Sequence, residues 1–239
     1  MSEHVNTLHM LELWLDVRHL VELGKMLHLP LARTGNNYLT HCALQELFQD
    51  QSPSPFSVED GHRQMQEYIQ NSHYRQIRVL GYSSVDLQAL QQIAQAFASP
   101  AVYRICDWDR SASKPMPQTF PGGMQMGFEL RSCPVIQKSS DGEKWKAGQE
   151  VDAFLSKVWD VADPEVSIER ESVYREWLEN QFARRGGAEL ISSGMDRFSI
   201  ERMSRRTHGA NRKVRVIQRP DVTFQGKLKV LNSHDFVEL

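Results

Sequence analysis

The stretch DRSASKPMPQTFPGG, residues 109–123, does most to limit how this chain can fold. Proline fixes φ and lacks an N–H, and serine and glycine favour turns, so the run reads as a connection between structured parts. It separates two halves that begin alike, with LHMLELWLDV (8–17) opening the first and MQMGFELRSCPV (124–135) opening the second. Setting the linker at 111–123 gives an N-terminal domain over 1–110 and a C-terminal domain over 124–239.

In the first half, 8–17 predicts a strand, and Gly24, Pro30 and RTGNN predict a loop. Asn36 or Asn37 suits the N-cap of a helix over 38–49, which QSPSP ends. RQIRVLGYS (75–83) predicts a second strand. Ser84 caps a helix over 85–98, where Leu87, Leu90, Ile93, Ala94 and Phe97 recur at helical spacing until Pro100 stops it. AVYRICDW (101–108) predicts another strand. The second half has its opening strand, a variable loop over 137–150 and a short helix over 151–161. A longer helix over 168–185 follows, with Val173, Trp177, Leu178 and Phe182 on one stripe and RGG as a glycine C-cap. Extended segments over 188–206 and 213–231 are joined by THGAN. In the latter, Val214 and Val216 alternate with Lys213 and Arg215, so the hairpin has an apolar side and a basic side. Both halves read as strand, helix, strands, helix, strand. The fold class is α+β, with two tandem ferredoxin-like (RRM-like) domains. NSHDFVEL supplies only the first turn of a last helix, so the second domain is expected to be incomplete at its C-terminus and to leave a sheet edge unpaired.

A net charge of −2 and a pI near 6.5 argue against a polyanion binder, but the average hides an asymmetry. Between Arg184 and Arg219 ten Lys or Arg face three acids, which makes that segment +7 and leaves −9 for the remainder. Such a local ridge attracts a polyanion because salt confines its field to about 10 Å. The basic hairpin (Arg197, Arg202, Arg205, Arg206, Arg212, Lys213 and Arg215) therefore suits RNA, whose A-form helix is read by shape and phosphates. A solvated charged hairpin is the plainer alternative. No run of about 18 apolar residues predicts a membrane span, and MSEHVNTLHM has no signal-peptide character. Three widely spaced cysteines, an odd number, fit reduced thiols in cytoplasm.

Tyr38 and His41 lie one helical turn apart, on the face opposite Ala43 and Leu47. Histidine offers both proton states near neutral pH, so His41 is a candidate general acid or base with Tyr38 beside it. A solvent-facing histidine on an amphipathic helix fits the same spacing. The histidines show no metal-ligand spacing, and no phosphate-binding glycine loop or nucleophile elbow occurs, so no metal or cofactor is expected. Lys114 in the linker can face a substrate between the halves, although a loop lysine is usually solvated.

Four stretches in order resemble the CasE family of type I-E CRISPR-associated endoribonucleases. NNYLTH resembles its Tyr-x-x-His helix, and GFELRSCPV its Phe-x-Leu-Arg-x-x-Pro strand. VYREWLENQFARRGG is similar to its Trp-Leu helix, and DVTFQGKLKV to its Val-x-Phe-x-Gly-x-Leu-x-Val strand. The resemblance implies metal-independent cleavage of CRISPR precursor RNA at the repeat stem-loop. The 2′-hydroxyl attacks, leaving a 2′,3′-cyclic phosphate, with His41 as acid or base. It also implies retention on the crRNA 3′ hairpin as a subunit of Cascade, beside the backbone subunit nearest that end. The family's basic residues just after the histidine are replaced here by Cys42 and Glu46, so Arg33 and Lys114 are the candidate cations for the transition state. The rival reading is a non-catalytic RNA-hairpin-binding subunit of a CRISPR ribonucleoprotein.

Overall fold

A computed structural model describes residues 7–31, 34–59, 76–161, 167–206 and 214–237, with the side chains of 202–206 and 214–216 set aside. The chain divides into two compact units: Met1–Met116 with Arg202–Ile217, and Pro117–Glu201 with Gln218–Leu239.

The first unit is built on β1 (His9–Asp16), β2 (Phe56–Val58), β3 (Gln76–Ser83) and β4 (Ala112–Pro115), in the order β2-β3-β1-β4. β1 runs antiparallel to β3 and β4, and β2 antiparallel to β3. This is the ferredoxin-like order, in which each helical crossover skips one strand. Helices α1 (Val17–Met26) and α2 (Asn36–Phe48) join β1 to β2, and α3 (Leu87–Phe97) and α4 (Pro100–Tyr103) join β3 to β4. Alternation along β1 sends Leu11, Leu13 and Leu15 into the core, and leaves Met10, Glu12 and Trp14 on the other face. The helices answer with Leu20, Leu39, Leu44, Leu47 and Leu90, each fully buried. Each such side chain contributes about 1.5–3 kcal/mol. On the open face Arg78 pairs with Glu12 at 2.8 Å, and the Arg110 guanidinium lies 3.7 Å over the Trp14 ring.

Three first-half expectations need correction. The loop expected after residue 17 is α1, capped by Asp16, whose side chain accepts from the N–H groups of Arg18 and His19. Gly24 is a packing position inside it: a Cβ there would meet Leu31 Cδ2 at 2.5 Å. The strand expected over 101–108 is instead α4, with Ser99 as cap and Pro100 at its start, followed by a lone bridge between Cys106 and Leu15. Ala112–Pro115, read as linker, is the edge strand β4, where proline is tolerated.

The second unit carries β5 (Gln125–Ser132) and, outside Arg202–Ile217, β8 (Ala188–Arg206) and β9 (Val214–Val230), in the order β5-β9-β8, the ferredoxin-like order with no strand beside β5 among the described residues. Between β5 and β8 come β6 (Val135–Gln137) and β7 (Glu150–Asp152), paired as a two-stranded sheet, then α5 (Ala153–Asp160) and α6 (Arg170–Arg185). α7 (Ser233–Val237) follows β9. Val222 and Phe224 of β9 pack on Val173, Tyr174 and Leu178 of α6. Gly226 is required by proximity: a Cβ there would collide with the Ser192 backbone carbonyl. Trp145 of the β6–β7 loop and Trp159 of α5 stack with ring centroids 5.8 Å apart, and Lys138 sits 4.0 Å over Trp145.

Candidate active site and nucleic-acid interface

Helix α2 is held by one face. Leu39, Ala43, Leu44, Leu47 and Phe48 are fully buried, whereas His41, Gln45 and Glu46 are exposed. Gly35 rather than an asparagine occupies the N-cap, and Asn36 is buried inside the first turn. Tyr38, one turn before His41, is half-buried and packs against the core. The exposed imidazole is not without a neighbour. It lies nearly parallel to the Phe56 ring of β2, 6° between planes and 6.4 Å between centroids, within the range of favourable aromatic contact. Phe56 sits opposite Gly81 of β3, and the missing side chain at Gly81 lets the Phe56 Cβ come close. A glycine in one strand thus seats a phenylalanine in the next, and that ring flanks the histidine.

The candidate cations are scattered. Lys114 lies in β4, at the opposite edge of the sheet from β2, about 14 Å away at the usual strand spacing. Its neighbour Ser113 faces the helices, accepting from Leu87 N–H at 3.0 Å, so Lys114 points to the open face and is exposed. The structure therefore does not bring Lys114 to His41. Arg33, Arg212 and Lys213 lie outside the described residues. Arg202, Arg205 and Arg206 fall in β8 and Arg215 in β9, with only their backbone described. Arg197 is exposed on β8, near enough to Glu201 for its charge to favour that carboxylate. Arg184 and Arg185 are exposed in the last turn of α6. Arg219, part of the charge excess read in the sequence, is engaged elsewhere: its two terminal nitrogens donate to the Glu150 carbonyl (2.6 Å) and carboxylate (2.9 Å).

A second charged cluster emerges only in three dimensions. Arg131 of β5 donates through Nε to Asp221 Oδ1 (2.7 Å), and through Nη2 to Asp221 Oδ2 (2.8 Å) and Glu201 Oε1 (3.0 Å). Two carboxylates converge on one guanidinium. Burial pushes the Glu201 carboxyl up to about 7, the Asp221 charge adds to the push, and Arg131 opposes it. Among the described residues, no group of His, Cys, Asp or Glu is arranged to hold a metal ion, and no helix is long and apolar enough to cross a membrane. All three cysteines are free.

Two ferredoxin-like units in one chain, with two strands of 19 and 17 residues among its elements, define its structural class. Residues 8–239 match the family model described as CRISPR associated protein, and the chain belongs to that family. Among solved structures, it is similar to CRISPR endoribonuclease Cse3 bound to 19 nt RNA. The TM-score there is 0.57 and the identity 13%, over 98% of this chain and 90% of that one. It is also similar to Thermus thermophilus Cse3 bound to an RNA representing a pre-cleavage complex, at TM-score 0.53 and 12% identity, over 97% and 89% of the two chains. No curated protein matches the chain. The CasE resemblance read from four short stretches is thus met in family and in fold.

Proposed function

We propose that this protein is a metal-independent endoribonuclease that cuts CRISPR precursor RNA at the repeat stem-loop. In this reading it then stays on the crRNA 3′ hairpin as a cytoplasmic Cascade subunit, beside the backbone subunit nearest that end. The observation that carries the reading is an exposed histidine one turn from a half-buried tyrosine, on a helix whose opposite face is locked in the core. Membership of the CRISPR-associated family and the fold shared with Cse3 support it.

The chemistry needs little beyond this. RNA supplies its own nucleophile. As the 2′-oxygen bonds to phosphorus, a base takes the 2′-proton, the P–O5′ bond breaks and an acid protonates the leaving oxygen. The products are a 2′,3′-cyclic phosphate and a 5′-hydroxyl. His41 performs one of the two proton transfers, and such a step contributes about 10²- to 10⁴-fold. The Tyr38 hydroxyl orients the phosphate, and alignment on the protein supplies the remainder. Arg33 precedes α2 by three residues, and it is the cation we assign to the developing charge. Lys114, Arg197, Arg202, Arg205, Arg206, Arg212, Lys213 and Arg215 are assigned to the RNA backbone.

Cleavage of repeat RNA in EDTA, by wild type and His41→Ala, tests the assignment. Cyclic-phosphate product with wild type and intact, bound RNA with the variant is the expected outcome. Intact RNA with both, still tightly bound, would establish the alternative of a non-catalytic hairpin-binding subunit. Cys42 and Glu46, neither of them cationic, stand after His41 where the resembled family has basic residues, and favour that alternative.

A further inference from the structure

Strand β2 is only three residues long and forms one edge of the first sheet. Side chains alternate along a strand, so Phe56 and Val58 turn to the helix side while Ser57 is exposed on the other. Val58 is buried and fills the core. Phe56 packs on the same core but is only half-buried, so part of its ring lies beyond what the core needs. Its place is fixed from two sides. Just before it, the Ser54 N–H donates to the Tyr82 carbonyl (3.0 Å) and the Tyr82 N–H to the Pro55 carbonyl (3.1 Å), which pins the chain to β3. Across from it stands Gly81, where a Cβ would meet both the Phe56 Cβ and the Pro55 carbonyl at 3.2 Å. The ring held in this way is the one that lies nearly parallel to the His41 imidazole.

An exposed histidine on a helix keeps its side-chain torsions free unless a neighbour restrains the ring. Alignment is where a catalyst gains much of its rate, and a misplacement of about 1 Å can cost about a hundredfold. An offset stack on an apolar ring restrains the imidazole plane and uses neither ring nitrogen. Both nitrogens stay available to a substrate, whichever of them carries a proton. A carboxylate in the same place would instead favour the charged ring. We propose that Phe56 is a positioning residue for His41: its ring, seated by Gly81, sets the plane in which the imidazole meets the scissile ribose and phosphate. The inference rests on the reading that His41 transfers a proton in RNA cleavage, and adds what holds that group in place.

The test uses the full chain and repeat stem-loop RNA in EDTA, with single-turnover rate and affinity measured separately. Phe56→Leu keeps an apolar side chain and removes the ring. It is expected to slow cleavage about tenfold and to change affinity less than about twofold. Phe56→Tyr, which keeps the ring, is expected to restore the rate to within about twofold of wild type. On top of His41→Ala, Phe56→Leu is expected to cost no further rate, because it acts through the imidazole. The same fractional loss in both backgrounds, or an equal loss with Phe56→Tyr, would overturn the proposal. Should Phe56→Leu fail to fold, wild type decides. A nuclear Overhauser contact between the two rings is expected to persist with a fully 2′-O-methylated, uncleavable stem-loop bound, and its loss there would overturn the proposal. Wild type that cleaves, with Phe56→Leu cleaving equally fast, overturns this inference alone. Wild type that leaves repeat RNA intact overturns the nuclease reading, and this inference with it.

Discussion

The two ferredoxin-like units are held together by opposite means. In the first, the helix bearing His41 rests on fully buried leucines and a phenylalanine. In the second, β5, β7, β8 and β9 are tied by ion pairs of Arg131 with Asp221 and Glu201, and of Arg219 with Glu150. Apolar packing is indifferent to pH, and under the proposed function it keeps the geometry of a group whose own charge changes. Charge pairs are directional and set an angle, but they respond to protonation. The helix bearing His41 is thus mounted on a scaffold that does not titrate, and the Glu201–Asp221 end of the second sheet on one that does.

The largest effect expected breaks the comparison at its chemical end. His41→Ala should lower single-turnover cleavage by about 10²- to 10⁴-fold while leaving stem-loop affinity nearly intact. Equal losses of rate and affinity would put the histidine in binding. Next, alanine at Arg202 together with Arg205 or Arg206 should weaken binding and flatten its salt dependence by about 0.7–0.9 in slope per lost phosphate contact, without slowing cleavage of saturating RNA. A salt titration with both assays reads this directly. Leu44→Ala, in the apolar scaffold, should cost about 2–5 kcal/mol of stability by equal amounts at pH 5 and pH 7, measured by denaturant unfolding. The smallest effect sharpens the ionic end. The Glu201 carboxyl titrates near 7 in the folded protein, above its unfolded value, so the folded state holds that proton more tightly. The contribution to stability is therefore full below the unfolded carboxyl range and declines as pH rises through about 7. Melting temperatures of wild type and Glu201→Gln across that window should show the decline only in wild type.

How legible this was in the sequence follows from range. β1, β3, β5 and helices α3, α5 and α6 announce themselves by local periodicity, and so does the surface position of His41 on α2. α1 was hidden because Gly24 and Pro30 signal a loop, although Val17, Leu20 and Leu23 keep helical spacing through the glycine. β4 was hidden by a composition that also suits an edge strand. Phe56 could not be singled out, since a three-residue strand inside QSPSPFSV has no period to detect. The Arg131–Asp221–Glu201 cluster was out of reach for another reason. Arg131 is 70 residues from Glu201 and 90 from Asp221, and a charge count over 184–219 enters Glu201 only as a subtraction. Arg131 did stand out within GFELRSCPV, but as part of a resemblance and without a role.

The stacked indoles of Trp145 and Trp159 have a practical consequence. Two such chromophores, nearly parallel and in contact, couple their electronic transitions and give a paired circular-dichroism band that separated tryptophans lack. The packing of the β6–β7 loop on α5 therefore carries a built-in optical signature, through which its integrity in any variant of the second unit can be followed without a label.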